Sequence, residues 1–187
     1  MSTPKASYRI LGIDPGTNLL GYAILEVEGK NLRPIDIGVV YMKHLEQHEY
    51  KLKKIFERLQ SIITTYQPDE MAIEAPFFGK NPQSMLKLGR AQGVAIAAAM
   101  TQGLTVNEYS PKKIKVSITG NGNASKEQVA AMLASILHVT LENQYLDATD
   151  ALAVALCHHY QSGSLLSGKK KYTDWSSFIK DNPDRKA

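Results

Sequence analysis

The first third of the chain alternates short apolar runs with turn-forming residues. Three runs rich in Ile, Val, Leu and Tyr are separated by Gly, Asn and Pro, and they predict strands at Tyr8–Asp14, 21–27 and 35–42. The segments between them are short. We therefore expect an antiparallel meander at the start of the fold.

After the third strand, apolar residues recur at helical spacing. Residues 49–66 predict an amphipathic helix with lysines opposite an apolar face made of Leu52, Ile55, Phe56, Leu59, Ile62 and Ile63. The pattern then predicts a strand in "MAIEA", an Ala-rich helix over 84–101, a strand in "LTVNEY", and helices over 111–116, 126–137 and 148–160. Three strands followed by alternating helices and strands indicate an α/β fold, with a mixed five-stranded sheet flanked by helices.

The composition changes near the end of the chain. From Gln161 onward Ser and Gly are followed by a run of Lys, which predicts a linker and a tail. A chain of 187 residues is most simply one domain with a substantial core. We expect a core domain over 1–163 and a basic, flexible tail over 164–187, in which Trp175, Phe178 and Ile179 could form a short docking turn.

Cysteine content and hydropathy exclude several classes of protein. The single Cys157 allows no disulfide framework, which favours a reducing compartment. No run of about 18 apolar residues occurs, and the N-terminal "MSTPKASYR" lacks the apolar segment of a signal peptide. We therefore expect a soluble, cytoplasmic protein with no membrane partner.

Charge is distributed unevenly along the chain, whose formal net charge is +4. Residues 80–126 carry seven basic side chains and one acidic side chain, whereas residues 127–163 carry four acidic side chains and no Lys or Arg. Positive charge on one segment and carboxylates on others are what an enzyme acting on nucleic acid requires.

Carboxylates recur at the predicted ends of elements. Asp14 ends the first strand and precedes Pro-Gly, a sequence that is equally common in a simple turn. Glu74 ends a later strand, again just before a Pro. Asp147 and Asp150 are three residues apart at the start of an apolar helix and share one face. Taken alone, helix capping explains this pair more simply, but an apolar helix is buried, so both carboxylates should then face a polar cavity.

Four carboxylates from three distant segments match the ligand needs of hard divalent cations. Mg²⁺ prefers oxygen ligands, and in two-metal sites the ions lie roughly 3.5–4 Å apart and act together in phosphodiester hydrolysis. The sequence has no Cys/His zinc spacing, phosphate-binding GxxxxGK[ST] or GxSxG motif. We interpret His158 and His159 as cations favoured by the C-terminal end of the last helix.

Four blocks of sequence resemble a known family in order and spacing. They are "GIDPGTNLLGYAI", "AIEAPFFGKNPQSMLKLGRAQGVAIAAA", "YSPKKIKVSITGNGNASKEQVAAML" and "LDATDALAVALCHH", and they span about residues 8–160. Together they resemble the RuvC family of Holliday junction resolvases, or crossover junction endodeoxyribonucleases. The resemblance implies a ribonuclease H-like fold and a homodimer. It also implies an active site in each subunit with two Mg²⁺ ions, for which Mn²⁺ could substitute.

The activity implied by the resemblance is the resolution of four-way junction DNA. The family makes symmetric nicks in strands of like polarity near the crossover and leaves 5′-phosphate and 3′-hydroxyl ends that a ligase can seal. Its setting is homologous recombination and DNA repair, with the branch-migration proteins RuvA and RuvB as partners.

The resemblance also assigns residues by motif position. Asp14, Glu74, Asp147 and Asp150 correspond to the catalytic metal ligands, although some relatives carry His at the Asp147 position. Phe77 matches an aromatic residue that stacks on bases near the crossover, with Phe78 as a substitute. We expect phosphate contacts from Lys80, Lys87, Arg90, Lys112, Lys113, Lys115 and Lys126. Asn123 stands where many relatives carry Arg, a departure that affects one phosphate contact and not the chemistry.

Three other functions share part of this pattern. A ribonuclease H acting on RNA–DNA hybrids uses the same carboxylate logic but has no counterpart of the "APFFGKNPQS" loop. Actin-like ATPases need two large lobes, for which the chain is too short. A junction-binding protein that no longer cuts DNA is disfavoured by the four intact acids. The Ala-rich helix over 84–101 is either a dimer surface or part of the core.

Overall fold

The computed structural model describes residues 7–76, 81–140 and 146–166. A five-stranded sheet with the order β3-β2-β1-β4-β5 forms its centre. The strands are β1 (Tyr8–Asp14), β2 (Leu19–Glu28), β3 (Asn31–Tyr41), β4 (Glu70–Glu74) and β5 (Thr105–Tyr109). Strands β1, β2 and β3 pair antiparallel, and β4 and β5 are added parallel to β1. The predicted meander and mixed five-stranded sheet are therefore confirmed.

In the described part of the chain, five helices cover the two faces of the sheet. They are α1 (His48–Tyr66), α2 (Pro82–Met100), α3 (Pro111–Thr119), α4 (Lys126–Leu137) and α5 (Leu146–Leu166). Helices α1 and α2 pack on one face around a cluster that includes Leu59 and Ala95. Helices α3, α4 and α5 pack on the other face around Leu133 and Leu152. The fold thus has three layers, with one apolar core on each side of the sheet.

Local sequence fixes where several helices begin. The Asn81 side chain accepts hydrogen bonds from two amides in the first turn of α2, and Pro82 follows it. Ser125 forms a capping box with Gln128 at the start of α4, and α4 has the predicted bounds. Helix α3 ends at Gly120, whose φ of 75° lies in the left-handed region that glycine favours.

Four strands end at one edge of the sheet. Strands β1, β4 and β5 are mutually parallel, and β3 runs in the same direction because it follows two antiparallel steps from β1. The carboxyl ends of these four strands therefore lie at the same edge, which we call the carboxyl edge. Asp14 and Glu74 are the last residues of β1 and β4, and so both lie there.

Helix α5 lies directly on the sheet because two glycines leave room for its backbone. A Cβ atom on Gly12 would lie 2.1 Å from the carbonyl oxygen of Ala151, and a Cβ on Gly21 would lie 2.0 Å from that of Asp147. No real Cβ atom tolerates such distances. These two glycines set the depth at which α5 packs and the position of its first turn over the carboxyl edge.

The last helix differs from the prediction at its far end. Helix α5 continues to Leu166, so the linker predicted from Gln161 is wrong at its start. The predicted boundary between the core 1–163 and the tail 164–187 falls inside α5, and residues 167–187 lie outside the described part of the chain. Buried Ala, Leu and Val along α5 continue as far as Cys157, and they hold the helix against the sheet.

The interpretation of His158 and His159 as C-terminal cations of α5 is also wrong. Both residues lie in the middle of the longer helix. His158 is buried; its Nδ1 lies 2.7 Å from the Tyr109 hydroxyl and its Nε2 contacts the Glu70 carboxylate. His159 Nδ1 lies 2.7 Å from the Tyr8 hydroxyl. The two histidines therefore tie α5 to the strands beneath it.

Not every apolar side chain of α1 and α2 is buried against the sheet. Ile55, Leu59, Ile62 and Ile63 are buried as predicted, but Phe56 is 37% exposed because it lies at the margin of the apolar face. The Ala-rich face of α2 packs in the core through Ala91, Ala95, Ala98 and Ala99, whereas Leu86 on the same helix is 64% exposed.

No helix in the described ranges is both long and apolar enough to cross a membrane.

The packing of α5 predicts the effect of adding a methyl group beneath it. We expect Gly12→Ala and Gly21→Ala each to lower the free energy of unfolding by about 2–3 kcal/mol, because backbone atoms of α5 must move away. Urea titration measures this change. The matched control is Gly89→Ala on α2, where a new Cβ meets nothing within 4 Å and the helix gains up to about 1 kcal/mol. A Gly12→Ala protein with the same free energy of unfolding as the wild type would contradict the close approach of α5 to β1.

Candidate metal centre at the carboxyl edge

Three of the predicted carboxylates converge at the carboxyl edge. Asp14 comes from the end of β1, and Asp147 and Asp150 come from the beginning of α5. One carboxylate oxygen of each residue lies within 4.8 Å of the others. Helix α5 begins at Leu146, so Asp147 lies inside its first turn rather than at a cap position. The spacing of three residues along α5 therefore places both carboxylates beside Asp14.

The fourth carboxylate, Glu74, lines the same cleft. The cleft has a volume of about 370 Å³ and contains Asp14, Glu74 and Asp150. Its other polar lining residues are Lys115 and Lys126, and its apolar walls are Pro111, Ile114, Val129 and Ala153. Three carboxyl groups, two lysines and apolar walls make a partly enclosed cleft.

Burial and mutual repulsion make these carboxylates difficult to ionise together. Burial, followed by the charges of Glu74 and Asp150, raises the pKa of Asp14 to about 8, and Lys126 opposes this rise. Burial and then Asp150 raise the pKa of Glu74 to about 7, opposed by Lys126 and Lys115. Additional positive charge would stabilise the ionised cluster, and a divalent cation could supply it.

Lys126 supplies part of the positive charge beside these carboxylates. Its ammonium group forms an ion pair with Asp150 and lies 4.0 Å from Asp147 Oδ1. Burial lowers the pKa of Lys126, but the hydrogen bond and charge of Asp150, with the charges of Asp14 and Asp147, raise it overall. The sequence predicted this lysine as a phosphate contact. The structure places it among the carboxylates, a neighbourhood for which the sequence offered no signal.

The other predicted basic residues are divided between the two faces of the sheet. On α3, Lys115 lines the cleft, Lys113 Nζ lies 5.1 Å from the centre of the Tyr109 ring, and Lys112 packs against Gly122. On α2, the predicted contacts Lys87 and Arg90 lie across the sheet from the cleft. Phe77, Phe78 and Lys80 lie outside the described residues. Asn123 donates its backbone amide to the Asn121 side chain in the loop before α4.

Gly21 is the main residue of the site that the sequence did not identify. It was predicted only as the start of a strand, yet its missing side chain allows Asp147 to reach the edge. The signal was present in the pattern: Gly21 pairs with Asp14 across β1 and β2, and Gly12 lies two residues before Asp14 on the same face.

A family model and curated proteins of high sequence identity share one description. A family model described as "Crossover junction endodeoxyribonuclease RuvC" matches residues 10–158. A protein of that description from Cytophaga hutchinsonii is 56% identical over 98% of this chain and 91% of its own length. Another, from Bacteroides fragilis, is 52% identical over 99% of both chains.

Solved structures show the same relationship. The structure described as T. thermophilus RuvC in complex with Holliday junction substrate has a TM-score of 0.77 and 30% sequence identity, covering 83% of this chain and 94% of that chain. The yeast mitochondrial Holliday junction resolvase Ydc2 has a TM-score of 0.61 at 14% identity and covers 83% of this chain and 82% of that chain, which shows the shared fold alone.

The raised pKa values predict a protein that loses stability as its carboxylates ionise. Because Asp14 binds a proton more tightly when folded, its contribution to stability falls as pH rises from about 4 to about 8 without metal. We expect Asp14→Asn to raise the free energy of unfolding by about 1–3 kcal/mol at pH 8 in EDTA, and by less at pH 5. Urea unfolding across this pH range measures the difference.

The control for this prediction is Glu57→Gln, which changes a carboxylate whose side chain is 63% exposed on α1. It should have little effect on stability at either pH. An Asp14→Asn protein less stable than the wild type at pH 8 would contradict the repulsion described for the cluster.

Proposed function

The chain belongs to the RuvC family of crossover junction endodeoxyribonucleases, and we propose that it resolves four-way DNA junctions by metal-dependent hydrolysis of two phosphodiester bonds. It is a nuclease with a ribonuclease H-like fold. The observation that most supports the proposed chemistry is the convergence of Asp14, Asp147 and Asp150 in a cleft that Glu74 also lines.

The residues present fit divalent magnesium. All four candidate ligands are carboxylates, which are the hard oxygen donors that Mg²⁺ and Mn²⁺ bind. Burial and, after it, mutual repulsion raise the pKa values of Asp14 and Glu74, so a bound cation would relieve an existing electrostatic cost. We propose that Asp14, Glu74, Asp147 and Asp150 hold two Mg²⁺ ions, with Mn²⁺ as a substitute. When bound, such ions lower the pKa of water and stabilise the leaving oxygen of a phosphodiester.

The chain's own groups perform the remaining tasks. Asp14 and Glu74 are held by strand ends, and Asp147 and Asp150 by the first two turns of α5, so their oxygens are fixed in advance. Lys115 and Lys126 place ammonium groups in the cleft, where they attract a phosphate that the carboxylates alone would repel. Ile114 and Val129 narrow the cleft and limit the entry of bulk water.

Paired nicks require more than one copy of the chain. The described residues contain one convergent acidic cluster, whereas symmetric cleavage of two strands needs two active sites. We propose a homodimer whose subunits each nick one of two strands of like polarity near the crossover. The products carry 5′-phosphate and 3′-hydroxyl ends that a ligase can join.

The remaining assignments follow from the resemblance in sequence. Phe77 or Phe78 stacks on bases near the crossover, and the predicted lysines and Arg90 contact phosphates. We place the protein in the cytoplasm with the DNA it acts on, in recombination and repair, and propose RuvA and RuvB as partners. Because α5 continues to Leu166, we extend the proposed nuclease domain from residue 163 to residue 166 and take residues 167–187 as the basic tail.

A cleavage experiment tests the proposed activity. An end-labelled synthetic four-way junction is incubated with the protein in Mg²⁺ and then in EDTA, beside linear duplex and RNA–DNA hybrid of matching sequence. We expect paired nicks at the crossover in Mg²⁺ only. Asp14→Asn should reduce the rate by on the order of 100-fold or more, because it removes a ligand charge.

The matched control is Glu28→Gln, which removes an exposed carboxylate at the opposite edge of the sheet and should leave the rate unchanged. Preferential cutting of the hybrid would instead identify a ribonuclease H. Tight binding without nicks across varied junction sequences would identify a junction-binding protein. Either result would overturn the proposal.

A further inference from the structure

A second pocket opens near the carboxyl edge, where it is bounded by α1 and α2 rather than by α3, α4 and α5. It has a volume of about 220 Å³. All of its lining residues are polar or charged: Thr17, Asn18, Glu46, His48, Lys51, Ser84 and Lys87. We call it the α1–α2 pocket, and apart from Lys87 none of these residues has been given a role above.

The α1–α2 pocket is fixed to the same strand end as the metal centre. Thr17 and Asn18 belong to the short connection between Asp14, the last residue of β1, and the start of β2. The carbonyl oxygen of Asn18 accepts a hydrogen bond of 2.8 Å from the Met42 amide, just beyond β3. Lys51 Nζ donates a hydrogen bond of 2.7 Å to Asn18 Oδ1. Part of the pocket wall therefore belongs to the connection that follows Asp14, and Lys51 is hydrogen-bonded to that connection.

Positive charge dominates the surroundings of this pocket. Lys51 and Lys87 line it, whereas Glu46 is the one acidic residue in the lining. Burial, followed by the charges of Arg90 and Lys87, lowers the pKa of His48; Lys51 lowers it further, and Glu49 opposes the change. Because the positive charges of Arg90 and the two lysines disfavour protonation of His48, the electrostatic potential at His48 is positive.

Hydrogen-bonding capacity in the pocket is only partly used. Within the described residues, His48 Nε2 is a buried atom without a hydrogen-bond partner. This atom is a donor in the neutral tautomer that carries its proton on Nε2, and the Thr17 and Ser84 hydroxyls and the two lysine ammonium groups are donors as well. A ligand that satisfies this set must be compact, negatively charged and rich in acceptor oxygens. A phosphodiester group has these properties, whereas a nucleobase or an apolar ligand does not.

We propose that the α1–α2 pocket binds a backbone phosphate of the DNA outside the cleft, through Lys51, Lys87 and the hydroxyls of Thr17 and Ser84. This inference rests on the proposed function, since it takes junction DNA as the ligand. A strand that enters the cleft and crosses the carboxyl edge meets this pocket on the other side. Two fixed contacts on opposite sides of Asp14 then set the position of the scissile bond.

Binding in EDTA tests the pocket without cleavage. Affinity for a four-way junction is measured for wild type, Lys51→Gln, Lys87→Gln and the control Lys30→Gln, whose lysine lies in the turn at the opposite edge. We expect each pocket variant to bind about tenfold more weakly and to reduce the slope of log K against log salt by about 1. Lys30→Gln should bind as wild type does.

Neutral methylphosphonates placed one at a time around the crossover then locate the contact. We expect one position at which the substitution weakens wild-type binding but has no further effect on Lys51→Gln. Lys87→Gln gives an independent reading, because its side chain is exposed and its loss leaves the fold intact.

The outcomes separate this inference from the proposed function. If wild type cuts junctions but both pocket variants keep wild-type affinity and methylphosphonate profiles, the pocket assignment is wrong and the nuclease assignment stands. If wild type does not cut junctions but binds DNA through a Lys51-dependent phosphate contact, the pocket stands and junction resolution is wrong. A wild-type protein that binds no DNA overturns both.

Discussion

The seating of α5 on the sheet is the constraint on which the rest of this structure depends. Side chains normally hold a helix away from a sheet, but Gly12 and Gly21 have none, and carbonyl oxygens of α5 approach them directly. Depth, rotation and register of the helix are then set by backbone contact. Register matters because Asp147 and Asp150 must meet Asp14, which belongs to a different element. A shift of one turn would carry both carboxylates out of reach.

The same seating makes a costly group of charges possible. Burial and, after it, mutual repulsion raise the pKa values of Asp14 and Glu74, so ionising these carboxyl groups in the folded protein has an electrostatic cost. Two features offset part of it: Lys126 pairs with Asp150, and the N-terminal end of α5 favours negative charge. The large apolar cores on both faces of the sheet supply the remaining stability. Packing of the two apolar cores therefore compensates for the electrostatic cost of the acidic site.

The sequence predicted best where local patterns decide the structure. The strand ending in Asp14, and helix α4 with its Ser125 cap, follow from apolar periodicity and capping, and both were predicted at their observed bounds. It failed where distant contacts decide. The end of α5 was misplaced because polar residues after His159 resemble a linker, although the helix continues for two more turns. His158 and His159 were predicted as terminal cations because their partners, Tyr109 and Tyr8, are far away in sequence.

The residues of the candidate site also fall into two groups: those that local sequence indicates and those that only distant contacts place there. The acids could be found because each stands at the end of an element beside a helix start or a turn signal, and family resemblance adds their roles. The partner of Lys126 could not be found, because nothing local relates the start of α4 to the start of α5. Thr17 and Lys51, 34 positions apart by their numbering, become neighbours only through the packing of α1 at the carboxyl edge. From their charge alone, the lysines can be predicted only to lie at the surface. Which of them lie near the carboxylates and which lie across the sheet depends on the topology of the fold. Because the flanking helices carry positive charge on both sides of the strand ends, a polyanion would be attracted from either side toward the candidate metal centre at the carboxyl edge.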